Sequence, residues 1–183
     1  MRALGIDPVH DTQTAFRALC DATSRPGTVA DVGSSPADHA ILATLVDHEV
    51  RTWTDDGELR SALESQGRFD PSEPAEADLL HTHGQPDWDV RECSHGSLVE
   101  PSEGATVVYR VDGLETGPDS ALTTVELIGP GVDGTRRLSA DLPASELERL
   151  REAQSTYPRG VDAYLTSGEY VAAIPRSNDL EVV

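Results

Sequence analysis

At 183 residues the chain is about one domain long and can bury roughly 70% of the surface its unfolded form exposes, so a sizeable core needs no staples. Its 33 acidic and 14 basic residues give a formal charge of -19, and every basic residue is arginine, which excludes a basic footprint for free nucleic acid and any chemistry that rests on a lysine amine. Apolar runs such as Val171 to Ile174 and Ala105 to Tyr109 fall far short of the roughly 20 residues that cross a bilayer, and Cys20 and Cys93 alone make no secreted disulfide framework.

The opening residues reach Asp7 and Pro8 before any long apolar stretch, so no secretory signal is expected and the protein is placed in the cytoplasm with both thiols reduced. Asp11 is positioned to cap a first helix, with Ala15, Phe16, Leu19, Cys20 and Ala22 at helical spacing, and Ser24-Arg25-Pro26-Gly27 stops it. A short strand over 28–32 precedes a second helix, capped by Ser35 and opened by Pro36, with Ala37, Ala40, Ile41, Thr44 and Leu45 on one face. Residues 50–54 are β-branched and extended, and Asp55 with Glu58 resembles a capping box that starts a third helix through Leu59 and Leu63, ended by Gly67. The Pro-rich acidic stretch 70–76 reads as a surface loop leading to a strand over 77–82, while 84–101 shows no clear pattern.

Beyond it, 105–111 is a strong strand, and 121–128 with 135–138 forms a hairpin-like pair around Gly129-Pro130-Gly131. Pro143 and Ser145 open a last helix to Gln154, and two strands, 161–166 and 170–174, close the chain around Ser167-Gly168-Glu169. Helices and strands alternate early and strands cluster late, which predicts an α/β fold with three layers, a mixed sheet covered by helices on both faces, in one domain over 1–183. The acidic residues are spread along the whole chain. At about 1 M salt the Debye length is only roughly 3 Å and their repulsion is screened, so a salt-rich, halophilic cytoplasm is the simplest explanation for the charge.

Three constellations carry candidate chemistry. On a strand, His81-Thr82-His83 turns both imidazoles to one face, and Cys93-Ser94-His95 could complete a tetrahedral zinc site, although the spacing matches no standard zinc signature and strand-end histidines are commonly polar edge residues. Arg25, Arg159 and Arg176 each sit in a Pro- or Gly-containing turn that would hold a guanidinium ready for a phosphonate, phosphate or carboxylate; the structural alternative is that each ties its own loop to a neighbouring acid. Asp47-His48-Glu49 could orient His48 for acid-base work, or simply place an imidazole at the negative end of a helix dipole. Gly129-Pro130-Gly131 lacks the pattern of a phosphate loop, and no G-x-S-x-G, H-E-x-x-H or C-x-x-C motif occurs.

Taken together, Pro8-Val9-His10-Asp11, Phe16-Arg17-Ala18-Leu19, Ser24-Arg25-Pro26-Gly27-Thr28, Leu45-Val46-Asp47-His48-Glu49, Gly104-Ala105-Thr106, Gly129-Pro130-Gly131, Tyr157-Pro158-Arg159-Gly160-Val161-Asp162 and Ile174-Pro175-Arg176-Ser177 resemble, in order and spacing, the H-subunit (PhnH) family of bacterial carbon-phosphorus lyase. Segment 70–100 matches least. The resemblance implies a part in organic phosphonate catabolism, in a complex with G, I and J subunits that supports transfer of phosphonate to the ribose of a nucleoside triphosphate. It also implies a homodimer with a fold similar to pyridoxal-phosphate-dependent transferases but without that cofactor's site, and no catalytic residues of its own. A chain with no lysine cannot form the internal aldimine of such enzymes, so no cofactor is expected. The alternative is an enzyme in its own right, a phosphonate or phosphate transferase using the turn arginines or a zinc hydrolase using His81, His83 and His95.

Overall fold

The computed structural model describes residues 4–183. In chain order its elements are α1 (His10–Ser24), β1 (Ala30–Asp31), α2 (Ala37–Leu45), β2 (Arg51–Thr54), α3 (Gly57–Glu64), β3 (Asp70–Pro71), β4 (Leu79–His83), β5 (Thr106–Arg110), β6 (Leu114–Thr116), β7 (Thr123–Ile128), β8 (Arg136–Ala140), α4 (Ala144–Gln154), β9 (Asp162–Ser167), β10 (Tyr170–Ile174) and β11 (Asp179–Val182). Seven strands form a mixed sheet in the order β1-β10-β9-β5-β4-β2-β3, and the other four form a second sheet, β11-β7-β8-β6. The large sheet is parallel from β9 through β5, β4 and β2 to β3 and antiparallel where β10 and β1 join it. The small sheet is antiparallel throughout. The fold is therefore mixed α/β, and no helix among the described residues is long and apolar enough to cross a membrane.

The two-residue alternation of a strand divides the core. Leu79, Val108, Val171 and Ala173 point to one face of the large sheet, where α1, α2 and α3 cover them with Ala15, Leu19, Ile41, Leu42, Leu59 and Leu63. Leu80, Val107, Tyr109, Leu165 and Ile174 point to the other, where they meet Leu147 and Leu150 of α4 and Val125, Leu127 and Leu138 of the small sheet. Helices alone had been expected on both faces; the second face carries one helix and a second sheet. The two strands that complete that sheet, β6 and β11, have weak sequence signals, one being three residues long and the other a chain end with only Leu180 buried.

Local expectations shift in instructive ways. At α1 the capping carboxylate is Asp7, whose Oδ1 accepts from the backbone N–H of Val9 and of His10, both at 2.8 Å. Asp11 instead returns its Oδ2 to the backbone N–H of Asp7. Phe16 and Cys20, expected on the buried stripe of α1, are exposed. Ser35 does not cap α2, which begins after Pro36 with no side-chain cap. Asp56, not Asp55, caps α3, its Oδ1 accepting from the N–H of Glu58 and of Leu59. That one-residue shift frees Asp55 to reach β4, where its Oδ2 accepts from Thr82 Oγ1 and the His83 N–H.

The stretch 84–104 is anchored on the α4 side of the sheet. Val90 and Cys93 are buried there, and Trp88 meets Trp53 of β2 edge to face with ring centroids 5.5 Å apart.

Candidate functional site

Strands β2, β4 and β5 run parallel, so their carboxyl ends finish at one edge of the sheet, the place where open α/β sheets bind ligands. At that edge β4 presents His81 and His83 on the same face as α2 and α3, and β5 presents Arg110. The first turn of α2 supplies Asp38 and His39, the last residue of β2 is Thr54, and the turn after it supplies Asp56. The H-x-H spacing does turn both imidazoles the same way, with ring centroids 5.3 Å apart.

At the centre lies a buried chain of hydrogen bonds. Thr54 Oγ1 accepts from the Asp56 N–H at 3.1 Å and lies 2.8 Å from His81 Nδ1, where its hydroxyl donates whenever the ring proton sits on Nε2. Because the Asp38 carboxylate can only accept, the tautomer with the proton on Nε2 fits, donating to Asp38 Oδ2 at 2.9 Å. Asp38 is 1% exposed and His81 0%. Burial works to raise the Asp38 pKa, yet the His81 imidazole, the Arg110 guanidinium and His39 outweigh it and hold the carboxyl below its ordinary value of 3.8. Beside this chain, His39 Nε2 sits 2.8 Å from Asp56 Oδ2. Burial again opposes ionisation, but the Leu59 N–H and His39 prevail and hold Asp56 at about 2.

Toward solvent the network loosens. Arg110 Nη1 is 3.6 Å from Asp38 Oδ2 and 4.0 Å from Asp56 Oδ2, and His83 Nε2 is 3.5 Å from both Asp56 Oδ2 and Arg110 Nη1. His83 and Arg110 also line a cavity of about 260 Å³ with Gly84, Val111, Asp112 and Asp141. Chemically, the arrangement can hold a cation against two carboxylates or pass a proton between imidazole and carboxylate. Thr54 is fully buried and committed at both ends, so it offers no accessible nucleophile.

The other half of the imagined zinc set lies elsewhere. Cys93 is buried in the core on the α4 side of the sheet, where burial first, and then the charges of Asp89, Glu146 and Glu92, push its thiol up to about 12. His95 pairs with Gly104 in an isolated bridge, and burial followed by the charges of Arg159 and Arg176 lowers its pKa. Among the described residues, the groups of three whose ligand atoms all lie within 4.8 Å are Asp38 with His81 and His83, and Asp38 with His39 and Asp56. A thiol titration of the native protein should therefore find Cys20 reacting at once and Cys93 only after unfolding; two fast thiols would contradict the burial of Cys93.

The turn arginines divide into three situations. Arg25 is exposed and pairs with Asp21 at 3.0 Å one helical turn back. Arg176 is largely buried: its Nε and Nη2 hold Asp162 Oδ2 at 3.0 and 2.6 Å, and its Nη1 donates to the carbonyls of Pro101 and Gly160. The Arg159 side chain comes near His95, and its buried Nε has no hydrogen-bond partner. Both residues lie at the amino ends of β5 and β9, opposite the His81 cluster, where the Gly160 N–H donates to the His95 carbonyl. His48 is exposed on the turn after α2, 3.9 Å from Glu49.

Sequence reasoning found His81 and His83 but missed Asp38, His39, Asp56 and Arg110. The available signal was positional: a helix first turn, a helix cap and the last residue of a parallel strand all fall at the carboxyl edge of such a sheet.

Comparison with known proteins gives the chain its relatives. The family model described as bacterial phosphonate metabolism protein (PhnH) matches residues 5–181. The chain is 28% identical over 194 residues to the alpha-D-ribose 1-methylphosphonate 5-triphosphate synthase subunit PhnH of Rhizobium meliloti (strain 1021), covering 96% of this chain and 92% of that protein. It is 32% identical over 179 residues to HtxG of Stutzerimonas stutzeri, whose name assigns it provisionally as a C-P lyase subunit, covering 93% of this chain and 86% of that protein. With nearly its whole length matched, the chain belongs to the PhnH family of bacterial phosphonate metabolism proteins.

Proposed function

We propose that this protein is a binding and assembly subunit of a carbon-phosphorus lyase system. In this reading a single domain over 1–183, paired as a homodimer in a salt-rich cytoplasm, supports transfer of phosphonate to the ribose of a nucleoside triphosphate by docking G, I and J subunits. The observation that carries it is the match over residues 5–181, joined by two relatives whose names make each of them a subunit. Its fold is taken as similar to pyridoxal-phosphate-dependent transferases, without the lysine that their cofactor requires.

The loops at the amino ends of β5 and β9 favour partner docking. Leu98 and Val99 are 73% and 85% exposed and Tyr157 is 66% exposed, next to the orphaned Nε of Arg159. Large apolar side chains left in water on adjoining, hydrogen-bonded loops mark an interaction surface. Arg159 gives that surface a cation for an acidic group of a partner or a ligand, while Arg25 and His48 are exposed candidates for the same role elsewhere.

The test is co-purification of a tagged chain with the G, I and J subunits of the same genome from cells grown on phosphonate. A doubly substituted Leu98→Glu and Val99→Glu variant should keep its fold, since exposed substitutions cost within about 0.5 kcal/mol, yet recover roughly tenfold less partner. A monodisperse dimer that never captures a partner would defeat the assembly role.

A further inference from the structure

We propose that Asp38, His81 and His83 form a site for one divalent transition-metal ion, with a coordination position left open toward the cavity beside Arg110. This site is independent of the assembly role. Its ligand atoms lie within 4.8 Å of one another, and an ion with bonds of about 2.0–2.2 Å holds its ligands roughly 3.3–3.6 Å apart. The His81–Asp38 distance of 2.9 Å is a few tenths of an ångström shorter than that range, so small side-chain rotations that part this pair and bring in His83 complete the set.

Three features favour an ion over a closed hydrogen-bond network. First, the carboxylates of the buried Asp38 and the largely buried Asp56 converge on one spot, and the nearby guanidinium of Arg110 stands 3.6 and 4.0 Å off, at the mouth of the site, too far to hydrogen-bond either. Second, His83 is committed to neither neighbour, since both lie 3.5 Å from its Nε2. Its side chain is 47% exposed, which gives an ion a way in past the cavity that it lines. Third, His81 already has the outer partner that a metal-bound imidazole uses: Thr54 Oγ1 lies 2.8 Å from Nδ1.

Besides those rotations, binding needs a tautomer shift. The His81 proton moves from Nε2 to Nδ1, Thr54 turns from donor to acceptor, and the freed Nε2 lone pair takes the metal, with no net proton release from this ring. Two imidazoles and one carboxylate select Zn(II), Fe(II) or Co(II) over Mg(II) and Ca(II), which demand oxygen-only shells. The His39–Asp56 pair stands beside the open position and can hold a metal-bound water.

The test uses the full chain, stripped with chelator and titrated with Co(II) and then Zn(II) in about 1 M KCl with excess Mg(II), conditions that suppress loose binding to surface carboxylates. One saturable equivalent is expected, with visible ligand-field bands for Co(II) that Zn(II) displaces. His83→Ala, at an exposed position, should keep the fold by circular dichroism and weaken binding by at least roughly tenfold, as should Asp38→Asn, whereas His95→Gln and His48→Gln should bind as the parent does. Absence of a saturable equivalent, or a His83→Ala variant that binds within about twofold of the parent, would overturn the site.

Discussion

A His81→Leu variant is expected to lose roughly 3–5 kcal/mol of stability, because it strands the Asp38 carboxylate at 1% exposure with Arg110 only at 3.6 Å. Asp38→Val should cost less, about 1–3 kcal/mol, since it leaves an imidazole N–H without its acceptor and no buried carboxylate stranded. The double variant should recover much of the loss, because removing both members of a buried polar pair is far cheaper than removing one. Urea unfolding of all four proteins supplies the cycle, and losses that simply add would show that the pair is not coupled. Acid gives an independent handle. With the folded pKa of Asp38 lowered, its stabilisation is fully present above the ordinary value of 3.8 and is lost as pH falls through the folded value. The advantage of the parent over Asp38→Val should therefore shrink as the pH is taken below about 4.

Arg176→Ala should cost a similar amount, roughly 3–5 kcal/mol, through the structure itself and not through a lost ligand. The side chain lies in a slot kept open by Gly104, where an added Cβ would come within 2.3 Å of both Arg176 Nη1 and the Gly160 carbonyl. Truncation leaves Asp162 and two loop carbonyls, those of Pro101 and Gly160, without their donor. Lysine should not rescue it, since a single ammonium cannot span Asp162 and both carbonyls. Arg25→Ala, by contrast, removes one exposed pair and should change stability by at most about 0.5 kcal/mol. An Arg176→Ala protein that unfolds like the parent yet loses partner binding would return this arginine to the set of recognition residues.

Strong local signals were legible in the sequence and long-range ones were not. The strands at β5, β7, β9 and β10 and the helices α1 to α4 announce themselves through β-branched runs, helical spacing and Pro or Gly stops. β3, two residues including Pro71, is paired only because β2 is already there, so its own residues read as a loop. The site was half legible for the same reason. His81-Thr82-His83 is a local pattern, whereas Asp38 meets His81 across 43 positions and Arg110 meets His83 across 27. Proximity in sequence drew Cys93 and His95 toward the pair, but the loop that leaves β4 carries them to the opposite face and the opposite edge.

The contact between Trp53 and Trp88 gives the fold its own optical gauge. The chain has only these two tryptophans, and at 5.5 Å and 82° their transition moments couple, so near- and far-ultraviolet circular dichroism should carry an exciton couplet. Trp53 is followed directly by Thr54, the residue that orients His81, while Trp88 rides on the segment that continues to Leu98 and Val99. One spectroscopic signal thus spans both edges of the sheet, and a partner or an ion that disturbs either edge has a native, label-free reporter already in place.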